Sequence, residues 1–339
     1  MVRNKAAKSD GSSQRVIVGV DLGGTTLGIG AMTADGSEQF AMHTIPTRAD
    51  LGADGVVDRI AKLIEQVISE TCASTGRTRA DFSGIGIGSP GPLDRERGIV
   101  IFTPNLGWRD FPLRDRVQDA VKLPATLDND ANCATLGEWW KGAARGANLV
   151  VGLTIGTGIG GGLVLDGRLY HGASDVAGEV GHTTIDMAGR RCKCGNYGCL
   201  EAYASGPAIA ERAREALAGG EPSSMPAMVG ADLSRLTAAI VYEAAHHGDE
   251  LAIEVVRETA RFLGVGVANL LNIFNPEVVV LAGGVAQAGD ALFEPLRAEV
   301  RRRAFKPAVD ACRIVPGELK DTAGVVGAVA AFAQQHGLT

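Results

Sequence analysis

The chain has 339 residues, room for one large domain or for two, each with a full core. Lys and Arg number 33 against 39 acidic residues, and the net charge of −6 argues against broad binding to nucleic acid or an anionic membrane. Glycine is abundant at 46 residues and aromatics are scarce, which suits tight turns and close backbone approach to ligands. Residues 1–14 are polar, lack the apolar core of a signal peptide and read as a disordered tail. A soluble, cytoplasmic protein with reduced cysteines is the expectation.

Arg15–Val20 reads as an apolar strand, followed at once by D-L-G-G-T-T and a returning strand at Leu27–Met32. In such a hairpin the backbone N–H groups and the hydroxyls of Thr25 and Thr26 can face a phosphate, while Asp21 can hold Mg2+ through water. An ordinary Gly-Gly turn is the plain alternative. Apolar residues at helical spacing predict a helix over Gly52–Ser74 with Asp54 as its N-cap. G-I-G-I-G-S-P-G-P-L-D (84–94) is a strand entering a turn, and T-P-N-L-G-W (103–108) is a turn carrying one polar amide, Asn105. A brief strand at Leu123–Leu127 ends in D-N-D-A-N (128–132), where open α/β sheets place ligands. Asp130 could equally be the N-cap of the run containing Trp139 and Trp140.

The uncharged run Ala147–Leu165 is long enough to raise the question of a membrane span, but its six glycines favour strand–turn–strand. Within it, T-I-G-T-G-I-G-G-G-L-V-L-D-G (154–167) contains a formal G-x-G-x-x-G. A strand, not a helix, follows, so a second phosphate hairpin fits better than a dinucleotide motif. Two such hairpins point to a duplicated architecture. Next, G-E-V-G-H is followed after nine residues by C-K-C-G-N-Y-G-C-L-E. His182, Cys192, Cys194 and Cys199 form a Cys3His set, the ligand set of a closed structural zinc site. Gly195 and Gly198 allow the positive φ that convergence of nearby sulfurs requires. The alternative is a group of buried free thiols, and the clustered spacing favours metal. Zinc would fix the loop with Glu179 and Glu201 near its ends.

Farther on, Ser205 is the expected N-cap of a helix ending at Gly219-Gly220, and Glu221–Asp232 reads as a surface loop. Helices are predicted over Thr237–His247 and Asp249–Ile273, with Gly248 between them. E-V-V-V-L-A-G-G-V-A (277–286) is a strand entering a Gly-rich turn, Cys312–Val315 a last strand, and Thr322–Gln334 a small-residue helix able to pack closely on another element.

Asp21-Leu-Gly-Gly-Thr25, Asn129-Asp130, the Gly156–Gly162 hairpin, Glu179-x-x-His182, the C-x-C-G-x-x-G-C-x-E run and Leu281-Ala-Gly-Gly284 occur in that order. Together they resemble the ROK family (repressors, open reading frames, kinases), and most of all its bacterial glucokinases, over nearly all of Val16–Ala331. The resemblance implies an α/β, actin-like ATPase (ribonuclease H-like) duplicated fold with two domains around a cleft. The expected boundaries are 15–128 plus 322–339 for one domain and 129–321 for the other. It further implies that Asp130 is the general base. Asn105, Asn129, Glu179, His182 and Glu201 would meet sugar hydroxyls, and Gly91 would add a backbone contact. Asp21, Gly23, Gly24, Thr25, Thr26, Thr157 and Gly158 would lie at the ATP phosphates, and Gly283 and Gly284 near the adenosine. His182 would serve both zinc and sugar. Relatives often carry Lys or Asn after G-G-T; Thr26 stands here, so that position supplies no cation.

A kinase acting on a hexose and ATP, with structural Zn2+ and with Mg2+ accompanying ATP, is therefore the expectation, as a homodimer or homotetramer. Glucose leads fructose, mannose, N-acetylmannosamine and allose as the acceptor. A sugar-sensing repressor of the same family is the rival, but only about fifteen polar residues precede the first strand, too few for a folded DNA-binding domain. A non-catalytic sugar-binding protein is the third alternative.

Overall fold

A computed structural model describes residues 15–338 and divides into two compact units. Of the described residues, 15–141, 172–176 and 321–338 group in the first, and 142–171 and 177–320 in the second. The tail expected over residues 1–14 lies outside the described residues. Among those described, no helix is long and apolar enough to cross a membrane.

The first unit opens with strands β1 (Val16–Leu22), β2 (Thr26–Thr33) and β3 (Gln39–Pro46), then helix α1 (Gly52–Thr75) and strand β4 (Phe82–Ser89). Three short strands follow, β5 (Leu93–Asp94), β6 (Ile99–Thr103) and β7 (Trp108–Phe111), with helix α2 (Leu113–Val121), strand β8 (Ala125–Asn129) and helix α3 (Asp130–Trp140). The main sheet runs β3-β2-β1-β4-β8; β1, β2 and β3 are antiparallel neighbours, while β4 and β8 run parallel to β1. β1 is apolar throughout except at Asp21, as a strand covered on both faces must be.

The second unit contains β9 (Leu149–Ile155), β10 (Ile159–Leu165) and β11 (Arg168–Leu169), and then the helices α4 (Glu201–Ala204), α5 (Gly206–Ala218), α6 (Met225–Met228), α7 (Ala238–His246) and α8 (Glu250–Phe274). It ends with β12 (Val278–Ala282), α9 (Asp290–Arg303), α10 (Lys306–Ala311) and β13 (Arg313–Pro316). Its sheet runs β11-β10-β9-β12-β13, again two antiparallel steps from the first strand and two parallel ones on the other side. The expected duplication is thus present at the level of sheet plan. Each unit has its own apolar core.

Helix α11 (Ala323–Gln335) belongs with the first unit and packs on α3. That pairing moves the division from the expected Asp128 to Lys141, because α3 shares its buried face with α11. Other expectations change locally. Asp54 is not an N-cap, since a 3-10 turn at Ala49–Leu51 leads directly into α1 and leaves Leu51 at the cap position. Ser205 does occupy the N-cap position of α5, as expected, although its side chain makes no capping hydrogen bond. The 221–232 segment is not merely a surface loop: it carries α6, whose Met225 is buried in the core together with Val229.

The α3–α11 contact depends on missing side chains. A Cβ at Gly327 would lie 1.6 Å from the carbonyl oxygen of Cys133, so the two backbones touch. Gly327→Ala would gain about 1 kcal/mol of helix propensity in an open setting. Forcing the helices apart should outweigh it, giving a net destabilisation of about 1–3 kcal/mol by chemical denaturation.

Candidate active site

In the first unit the backbone register brings the predicted residues to one edge. Asp21 on β1 pairs with Gly88 on β4, and Ser89 pairs with Asn129 on β8, so the carboxyl ends of three parallel strands meet. Ligands bind at such ends in open α/β sheets. Gly91 follows β4, in a cis Gly91–Pro92 peptide, and the Asn129 amide nitrogen lies close to Gly91.

The β1–β2 hairpin closes with Gly23 N–H donating to the Thr26 carbonyl at 2.8 Å. It is braced by buried Thr47, whose hydroxyl donates to the Gly23 carbonyl at 2.8 Å and whose N–H donates to the Thr25 carbonyl at 2.9 Å. Thr25 and Thr26 are exposed, and Asn105 packs on Gly24. Thr47 was not singled out in the sequence; nothing local marks a threonine that holds a loop twenty residues away.

The Asp21 carboxylate lies against the start of α11, where a Cβ on Gly324 would come within 2.4 Å of it. Burial, with the nearby charge of Asp130 second, pushes its carboxyl up to about 7. This geometry suits a carboxylate awaiting a cation.

Asn129 settles the capping question. Its Oδ1 accepts the N–H groups of Ala131 at 2.9 Å and Asn132 at 3.1 Å, so Asn129, not Asp130, is the N-cap of α3. Asp130 is the first helical residue, half-buried, with Oδ1 accepting the Ala131 N–H at 2.8 Å.

In the second unit the predicted hairpin is the Gly156-Thr157-Gly158 loop between β9 and β10, closed by Gly156 N–H to the Gly158 carbonyl at 2.9 Å. The Glu201 carboxylate leans on it: Oε2 accepts the Ile159 N–H at 2.9 Å, and a Cβ on Gly158 would lie 2.5 Å from the same oxygen. Thr157 and Gly284 line a largely apolar cavity of about 710 Å³, together with Pro207, Ala210, Tyr242 and Gln287. Gly283, at φ 89°, leads into its Gly284 wall. A cavity of this size accommodates a nucleotide-sized molecule. Its walls on α5 and α7 were not legible in the sequence, because small apolar helical residues look like ordinary core.

Also in the second unit, the ligand atoms of His182, Cys192, Cys194 and Cys199 all lie within 4.8 Å of one another. Cys194 Sγ is 3.7 Å from Cys199 Sγ, and Cys192 Sγ is 3.8 Å from His182 Nδ1. Gly195 and Gly198 take φ of 97° and 69°, as the spacing required. Burial beside two other sulfurs pushes the Cys199 thiol up to about 12. Glu179 sits at the head of the 3-10 turn that carries His182; burial raises its pKa, His182 opposes that shift, and Glu201 adds to it.

The two sheets of like plan, with a hairpin loop at each, define the actin-like ATPase fold. The ROK family model matches residues 17–335, and the chain belongs to that family. A glucokinase of Halalkalibacterium halodurans is 39% identical over 93% of this chain and 94% of its own. A xylose repressor of Caldicellulosiruptor bescii is 34% identical over 93% of this chain and 77% of its own. Among solved structures, a ROK family glucokinase from Streptomyces griseus, in complex with glucose and AMPPNP, matches with TM-score 0.79 at 34% identity, covering 94% of this chain and 99% of its own.

Asp21 makes stability depend on pH. Its folded-state pKa of about 7 exceeds the ordinary 3.8, so the folded form holds a proton that the unfolded chain releases. Stability from this source is full below about pH 4 and is lost as pH rises to about 7. Asp21→Asn should therefore melt higher relative to the unmodified protein at pH 8 than at pH 5, measured by thermal unfolding without nucleotide.

Proposed function

We propose that the protein is an ATP-dependent glucokinase that transfers the γ-phosphoryl group of ATP to the 6-hydroxyl of glucose. The observation carrying this reading is the place of Asp130: just beyond β8, relieved of capping by Asn129, and beside the Asp21 hairpin. Phosphoryl transfer needs mostly positioning and charge stabilisation, which two glycine hairpins and one carboxylate base can supply. Asp130 accepts the hydroxyl proton as the sugar oxygen bonds to phosphorus and the bond to the ADP oxygen breaks. Gly23–Thr26 and Thr157-Gly158 hold phosphates through N–H and hydroxyl groups, and the 710 Å³ cavity takes the adenosine. Mg2+ bound with ATP would neutralise charge on the phosphates, and Asp21 is the side chain that would hold it. Asn105, Asn129, Glu179, His182, Glu201 and the Gly91 backbone meet the sugar hydroxyls.

The cysteine cluster is a structural zinc site in this reading. Zinc–sulfur bonds of about 2.3 Å in a tetrahedron would require sulfurs about 3.8 Å apart, close to the 3.7 Å between Cys194 Sγ and Cys199 Sγ. His182 Nδ1 faces the sulfurs, which leaves Nε2 for the sugar and fixes the tautomer. Zinc held by these four side chains would pre-organise Glu179, His182 and Glu201. Elemental analysis should find about one zinc per chain; Cys194→Ser should lose it and should raise the KM for glucose more than that for ATP. An active wild-type protein without zinc would overturn this part.

The catalytic reading is tested by coupled ADP release over a panel of hexoses. Glucose should give the highest kcat/KM, because an epimer leaves a buried polar group unpaired at about 1–3 kcal/mol, or roughly 5- to 150-fold. Asp130→Asn should lower kcat by about 10²–10⁴-fold while glucose still binds. Faster turnover of fructose or N-acetylmannosamine would change the acceptor and leave the kinase reading standing; an Asp130→Asn variant with normal kcat would remove the base.

A further inference from the structure

Asp128 directly precedes the Asn129-Asp130 pair, and its side chain is only 5% exposed. Oδ1 accepts the Asn129 N–H at 2.8 Å and the Asn132 side-chain amide at 3.2 Å, one contact on each side of Asp130 in the chain. Oδ2 accepts from Arg95 Nε at 3.0 Å. The same arginine reaches Asp175: Nη1 donates to Oδ1 at 3.4 Å, and its backbone N–H donates to Oδ2 at 3.2 Å. Asp175 has φ 58° and belongs to 172–176, the short segment that groups with the first unit while its neighbours on both sides group with the second. Glu179 follows four residues later.

We propose that Arg95 is a positioning residue for phosphoryl transfer: it holds Asp128 in the geometry that fixes Asn129 and Asp130, and it ties segment 172–176 to the same clamp. The inference rests on Asp130 being the base. A carboxylate as buried as Asp128 stays ionised only with a partner, and one ionised oxygen can accept two donors at once. Without the guanidinium, Asp128 takes up a proton or turns toward solvent. Either change weakens its hold on the Asn129 N–H and the Asn132 amide. The start of α3 then loosens, and displacing a reacting group by about 1 Å can cost about 10²-fold in rate. Arg95 also lies near a group of like charges, since Asp21, Asp128 and Asp130 all act with it on buried Cys133.

The test is a double-mutant cycle on the full-length protein, read as kcat and KM. Arg95→Gln should lower kcat about 10- to 100-fold and change the KM for ATP less than about two-fold, with Arg95→Lys recovering part of the loss. In an Asp130→Asn background, Arg95→Gln should cost less than about two-fold further, because residues acting as a unit are not additive. Multiplicative losses, or a normal kcat for Arg95→Gln, would overturn the proposal and leave Asp130 as base. Full activity of Asp130→Asn would instead remove the base, and this proposal with it. Should Arg95→Gln fail to fold, Asp175→Asn cuts only the far end of the clamp. It should lower kcat by at least about three-fold in the Asp130 protein and not in the Asp130→Asn protein; equal losses in both would overturn the proposal.

Discussion

The register among β1, β4 and β8 is the constraint from which the first unit's site follows. Backbone hydrogen bonds place Asp21 opposite Gly88 and Asn129 opposite Ser89, so three chain segments distant in sequence end side by side. Because side chains alternate along a strand, a slip of one residue would turn Asp21 and Asp128 to the opposite faces. The buried valines on one face of β1 and Ile17 on the other make such a slip costly, so apolar packing fixes the position of the carboxylates. On the other face of the sheet α11 packs across β1 and β4, and its first turn lies against Asp21.

Electrostatics then separates the acids by role. Asp128 has a guanidinium and two amide donors and is held as an anion. Asp130 has its own helix's first turn. Asp21 has burial and the Asp130 charge against ionisation, and its carboxyl is pushed up to about 7. A group in that state gains most from a cation. In the second unit Glu179 is likewise raised by burial, beside a cluster whose sulfurs are costly to ionise together without a metal.

What the sequence made legible was local chemistry. Paired glycines after an apolar strand, the cysteine spacing and the small-residue helix each carry their meaning within a few residues, and each has a counterpart in the structure. Elements with weak local signals were missed: β3 is half-exposed along its length, and α9 holds an internal proline, Pro295. Helix α2 was legible in principle, since Leu113, Val117 and Val121 recur at helical spacing. The capping assignment failed at Asp54 and was left open at Asp130 because a cap depends on the backbone ahead of the helix, which composition does not report. Thr47 and Arg95 were invisible for another reason. Their importance lies in long-range hydrogen bonds, and a lone threonine or arginine has no pattern.

The repeated sheet plan also shows how one scaffold supports two different loops. β1 and β9 are both seven residues long, and each carries its only half-buried polar side chain next to last, Asp21 in one and Thr154 in the other. Across the hairpins these residues pair with Gly28 and Gly160. The first hairpin therefore has a carboxylate built into its own strand, whereas the second has only a hydroxyl there. The second obtains its carboxylate from outside, through the Glu201 oxygen that accepts the Ile159 N–H. An acid in the strand is fixed by sheet register, while one resting on the loop is fixed by the segment that carries it. In this chain that segment begins at the cysteine cluster, so the geometry of Glu201 depends on whatever holds the four clustered side chains together.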